Sequence, residues 1–102
     1  MVGPVHTRIS VENVNHPGKT RDVDAEHYAA VRAALLTILP EGPPGMTLDE
    51  IRAELPDHLP DELFPGGRKA GWWLKTVQLD LEAKGVLVRS RTSPLRLSRR
   101  PR

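Results

Sequence analysis

Residues 66–100 read GGRKAGWWLKTVQLDLEAKGVLVRSRTSPLRLSRR, and the fold of the whole chain turns on how they are parsed. Two glycines open the stretch, a periodic apolar segment follows, and Gly85 stops it. At about 100° per residue, Ala70, Trp73, Leu74, Val77 and Leu81 fall on one face, which predicts a helix from about Arg68 to Lys84 with a buried stripe. Gly85 suits the left-handed position that ends a helix, because it has no Cβ to clash. Beyond it, Val86 and Val88 alternate with Leu87 and Arg89, and Leu95 and Leu97 alternate with Arg96 and Ser98. The link Arg91-Thr92-Ser93-Pro94 is short enough to join the two runs as a hairpin. The segment therefore reads as a helix feeding a basic hairpin.

Working backwards, Thr47 and Glu50 have the spacing of a capping box, in which each side chain satisfies a main-chain N–H at the start of a helix. Leu48, Ile51 and Leu55 supply the buried stripe of that helix, and Pro56 ends it. The prolines of DHLPDELFPGG (57–67) forbid a long helix, so Leu59, Leu63 and Phe64 are expected on a short turn that points inward. Asp24 is a natural N-cap for a helix from Ala25 to Leu39, whose stripe is Tyr28, Val31, Leu35 and Leu39. Further upstream, Ile9 and Val11 alternate with polar residues before the turn-forming Asn15-His16-Pro17-Gly18. That pattern predicts a hairpin of roughly 8–13 with 19–23. The expected organisation is a disordered 1–7, one domain over 8–98 including the hairpin 8–23, and a basic tail 99–102.

Charge is unevenly distributed along the chain. From Arg89 onward there are six arginines and no acid, while all 13 acids and only nine of the 15 Lys and Arg come earlier. An acidic body with a basic end implies a polyanionic partner. With no cysteine, disulfides, thiolate metal sites and a cysteine nucleophile are excluded. His6, His16, His27 and His58 have no metal-ligand spacing and read as surface or turn residues. No motif requires a cofactor or metal, no nucleophile and base are paired, and no run is apolar enough to span a bilayer. A non-enzymatic cytoplasmic protein is expected.

Residues 46–98, about half the chain, resemble a winged helix-turn-helix domain. MTLDEIRAEL stands where that family has its second helix, AGWWLKTVQLDLEAKGVLVRS resembles a recognition helix running into the first wing strand, and LRLS resembles the returning strand. The resemblance implies an α+β, three-helix winged helix-turn-helix with a C-terminal β-hairpin wing. The hairpin around NHPG is an addition to the minimal domain, and the proline-rich break at 56–65 also departs from it. It further implies a small bacterial regulator that binds duplex DNA. Arg68, Lys69, Lys75, Thr76 and Gln78 would then face the duplex, and Arg89, Arg91, Arg96 and Arg99 would contact phosphates from the wing. Gly66 and Gly67 leave main-chain N–H groups that a phosphate would accept from.

Two features weigh against a simple DNA reader. The face of the third helix across from its core stripe carries Trp72 and Leu79 among its cations, an apolar pair suited to burial by a partner. That partner is the chain's own N-terminal hairpin, a second copy in a homodimer, or another protein. Asp80 and Glu82 also read as acids flanking the helix, where they would repel phosphate. A winged helix used only for protein contact is therefore the alternative function, since fold does not fix function.

Overall fold

The computed structural model describes residues 7–101. All of the stretch expected to be disordered except Thr7 lies outside those residues. Thr7 itself accepts a hydrogen bond from Ala25 N–H (2.8 Å) and is tied to the start of the first helix.

Over the described residues the protein is α+β, with three helices and two small antiparallel sheets. Strands β1 (Arg8–Glu12) and β2 (Thr20–Asp24) form the N-terminal hairpin. Helix α1 spans Ala25–Ile38, strand β3 is Met46–Thr47, and helix α2 is Leu48–Glu54. Two 3-10 turns, Leu55–His58 and Pro65–Gly67, carry the proline-rich segment. Helix α3 spans Ala70–Ala83, and strands β4 (Leu87–Ser90) and β5 (Arg96–Arg99) form the C-terminal hairpin. The second sheet has the order β3-β5-β4, so the last strand is central.

Local capping chemistry sets most of these boundaries. The Asp24 carboxylate accepts from His27 N–H (2.9 Å) at the start of α1. Thr47 and Glu50 form the full capping box of α2. At the end of α3, Gly85 N–H donates to Glu82 O and Val86 N–H to Leu81 O, with Gly85 at φ 74°. This is the Schellman arrangement, and it satisfies carbonyls that the helix leaves free. The start of α3 is later than its apolar pattern predicts. Lys69 adopts a left-handed φ of 62°, so regular helix begins at Ala70 rather than Arg68. Arg99 lies within β5, which removes it from the expected tail.

One core joins all three helices and the second sheet. Val31, Leu35 and Leu39 from α1 and its cap meet Ile51, Leu55, Leu74, Val77, Leu81 and Leu97, all essentially without solvent contact. Gly45 is fixed by this packing, because at φ 78° any Cβ there would collide with the Leu97 carbonyl. His27 is not the surface residue its isolation in sequence implies. Its ring stacks on Trp73 (centroids 5.3 Å, 16°) and bridges the Asp24 carboxylate (2.6 Å) and the Leu63 carbonyl (3.0 Å). That bridge pins the proline-rich segment to α1.

The least expected core residue is Asp80, which is fully buried. Its Oδ1 accepts from Glu12 N–H of β1 (2.8 Å), and Lys84 Nζ donates to both carboxylate oxygens (2.7 and 2.9 Å). The Tyr28 hydroxyl of α1 donates to Oδ2 in a short hydrogen bond. Burial first, and then this bond to a carboxylate, push the tyrosine hydroxyl above its usual range, so it stays a donor. Asp80 thus ties α3 to α1 and to the N-terminal hairpin, and it does not repel ligands at the surface. Truncating one member of a buried, charged network strands the others. Asp80→Ala should lower unfolding stability by roughly 3 kcal/mol or more. Lys84→Ala takes the cation from the buried carboxylate but opens its site to water, since the Lys84 side chain is 37% exposed, and should cost less than Asp80→Ala, about 2 kcal/mol. Urea unfolding of both variants checks the order.

Candidate functional site

Helix α3 lies between the two hairpins, in contact with β1 and β4, and most of the side chains expected to meet a partner lie on or beside it. Towards the C-terminal hairpin, the side chains expected to contact DNA are mostly bound within the protein. Gln78 is buried, with its amide donating to Glu82 Oε2 (2.9 Å). It does not face a ligand, because its side of α3 is closed by Glu82 and Arg89. Arg89 forms a two-pronged pair with Glu82, Nε to Oε1 at 2.8 Å and Nη2 to Oε2 at 3.0 Å. That bond raises the Arg89 pKa further and leaves its charge matched by a carboxylate that is 5% exposed. Glu82, like Asp80, is therefore an internal partner.

The next strand behaves similarly. Arg96 Nη1 donates to the Gly45 carbonyl (3.1 Å) and lies 3.5 Å from Glu50 Oε1. Arg99 Nε donates to the Leu39 carbonyl (2.8 Å). These three arginines chiefly fasten β4 and β5 to the rest of the domain. Arg91, at the tip of the hairpin, is exposed and has no side-chain partner among the described residues. The glycine N–H groups before α3 are also taken. Gly66 N–H donates to Asp61 Oδ1 (3.1 Å) and Gly67 N–H to the Phe64 carbonyl (2.8 Å), so neither awaits a phosphate.

The other side of α3 is open. Arg68, Lys69 and Lys75 are exposed and make no side-chain hydrogen bond or ion pair among the described residues. Thr76 is half-buried. Together with Trp72 and Leu79, Lys75 and Thr76 line a cleft of about 500 Å³ between α3 and the β1–β2 hairpin. Leu79 is only 7% exposed and sits with Val11 in this cleft, because β1 packs against α3. Its expected role at an intermolecular interface is thus filled by its own chain. Trp72 remains 47% exposed. Its ring meets Trp73 edge-on (5.0 Å, 86°), and the Arg21 guanidinium stands 5.9 Å from its centroid.

Sequence reading offered the N-terminal hairpin as one cover for Trp72 and Leu79 but missed the cations Lys19 and Arg21 that it brings to the cleft. Val11 pairs with Arg21 and Ile9 with Val23, so these four share one face of the hairpin. Burial of Val11 and Val23 turns that face towards the helices and carries Arg21 over Trp72. The alternation and the Asn15–Gly18 turn held the register, but the destination of the face depended on where α3 docks. Among the described residues no cluster of His, Asp or Glu could hold a metal ion, and no helix is long and apolar enough to cross a membrane.

The molecule is therefore an α+β domain whose third helix is flanked by two hairpins, with a cation-lined cleft on one side. The chain belongs to DUF6958, a family of unknown function, which matches residues 8–97. No curated protein and no solved structure matches it.

Glu50 gives the region between β3 and β5 a pH dependence. The Thr47 N–H (2.8 Å to Oε1), then the Thr47 side chain, and to a lesser degree Arg96 hold its carboxyl below the usual carboxylate range. A lowered folded pKa means that its contribution to stability is complete above about pH 4.3, the free glutamate value, and is lost as pH falls through the folded value. Urea midpoints of the wild type and Glu50→Gln should differ most near neutrality and converge in acid. Curves that stay parallel from about pH 7 to 3 would remove Glu50 from the account.

Proposed function

We propose that this chain is a winged-helix regulator that binds duplex DNA through the amino-terminal half of α3, with the C-terminal hairpin as its wing. The order helix, strand, helix, helix, strand, strand from α1 to β5, with the short β3 joined to the last strand, supports the winged-helix reading. The observation that carries the DNA reading is the set of uncommitted cations. Arg68, Lys69 and Lys75 lie on or just before the open surface of α3, and Arg91 is at the hairpin tip. Guanidinium and ammonium groups without internal carboxylates are free to replace the counterions of a phosphate backbone. With Gln78 buried and Arg89 matched by Glu82, phosphate contact outweighs base reading in this proposal.

Neutralising about four phosphates gives a slope near −3.6 for log K against log[salt] on random duplex DNA. Lys69→Ala, Lys75→Ala and Arg91→Ala should each make that slope shallower by about 0.9. Arg89→Ala should change it less. A flat salt dependence, or no binding at low salt, rejects the proposal.

The half-exposed Trp72 favours a second reading, a winged-helix module that docks on a protein or on a second copy without binding DNA. It predicts that Trp72→Ala lowers the apparent mass of an assembly in sedimentation. A wild-type chain that is monomeric at every concentration removes the homodimer.

A further inference from the structure

The cleft between the N-terminal hairpin and α3 has the construction of a small-molecule site. It is open to solvent on one side, and its volume of about 500 Å³ is large enough to seat a compact organic ligand. Val11 and Leu79 supply apolar surface, and Trp72 adds an indole that keeps nearly half of its area in water. An aromatic ring so exposed gains from being covered, and a second planar ring covers it best.

The charge of the lining is one-sided. Lys19 and Arg21 enter from the hairpin and Lys75 from α3, against the single carboxylate of Glu12. None of the three cations has a carboxylate partner among the described residues. The Arg21 guanidinium lies over the Trp72 ring, 5.9 Å from its centroid, so one cation already stands at the aromatic platform. A ligand ring that takes the place of this loose contact on the indole would keep the guanidinium fork within reach of its anionic group, with two ammonium groups around it.

The cleft is also built in advance. Glu12, at the end of β1, is held by its own N–H to the buried Asp80 carboxylate, which fixes the hairpin wall relative to α3. A wall already in place spares a ligand the entropy of ordering it. We infer that this cleft binds a small planar aromatic molecule that carries a carboxylate or a phosphate, with its ring against Trp72 and its anionic group between Arg21 and Lys75. The site does not depend on whether the chain binds DNA.

The test is a titration of the full ¹⁵N-labelled chain, followed through its two indole N–H signals, which Trp72→Phe assigns. Indole-3-acetate and adenosine monophosphate are the anionic probes, and indole and adenosine are their neutral counterparts. The expected result is a saturable shift of the Trp72 indole and of the Val11 and Thr76 amides with at least one anion. Its neutral parent should bind about tenfold more weakly or not at all, the scale of one lost charge-assisted contact. The preferred anion distinguishes a carboxylate ligand from a phosphate ligand. Arg21→Gln and Lys75→Gln should each weaken the anion by about tenfold and leave the neutral parent unaffected. No saturable shift with either anion, equal binding of neutral and charged probes, or shifts confined to other residues would overturn the assignment. Thermal unfolding of the two Gln variants at the wild-type midpoint shows that weakened binding is not lost folding.

Discussion

The carboxylate of Asp80 is the constraint on which the rest of the arrangement depends. An ion without solvent contact persists only if its partners surround it, and here they come from three places: the Tyr28 hydroxyl on α1, the Glu12 N–H on β1 and the Lys84 ammonium one turn along α3. The bonds from Tyr28 and Glu12 are directional and come from other elements, so together they fix the rotation of α3 about its own axis as well as its position. Apolar contacts among Val31, Leu35, Val77 and Leu81 would tolerate small rotations of that helix. The carboxylate does not. With the helix set, Trp72 and Lys75 turn towards the N-terminal hairpin and Gln78 and Glu82 towards the C-terminal one.

The two hairpins thus treat the helix between them differently. The C-terminal hairpin is fastened by its arginines, Arg89 through a charge pair with Glu82 and Arg96 and Arg99 through main-chain carbonyls. The N-terminal hairpin is held by Val11, Val23 and the Glu12 N–H, leaving Lys19 and Arg21 at the cleft without a carboxylate partner among the described residues. Basic residues are densest in the last fourteen positions, yet the cations of the α3 cleft come from earlier in the chain. Linear charge density and available charge are different quantities, because an internal carboxylate subtracts from the second and not from the first.

That difference explains how far the sequence could be read. Features decided within one turn were legible: the Asp24 cap, the Thr47–Glu50 box, the Gly85 stop and the core stripe of α3. Trp73 as the buried member of the tryptophan pair followed from the same periodicity. What failed were judgements that depend on distant partners. Asp80 looked like a surface acid because its partners Tyr28 and Glu12 lie 52 and 68 residues away. Gln78 and Arg89 read as free because nothing local shows that Glu82, their common partner, is internal. Leu79 looked like an interface because helix periodicity identifies a second apolar face without saying what covers it.

Thr47 has a double membership with a mechanical consequence. It is half of the two-residue strand that pairs with Arg96 of β5, and it is also the residue that caps α2. No linker separates the sheet from the helix, so a displacement of the C-terminal hairpin cannot be absorbed there by a change in loop shape. Pulling on β5 would stress the cap and the first turn of α2 at once, and loosening that turn would free the sheet's outer strand. The hairpin and the second helix form a single lever, with Gly45 packed against Leu97 as its fulcrum.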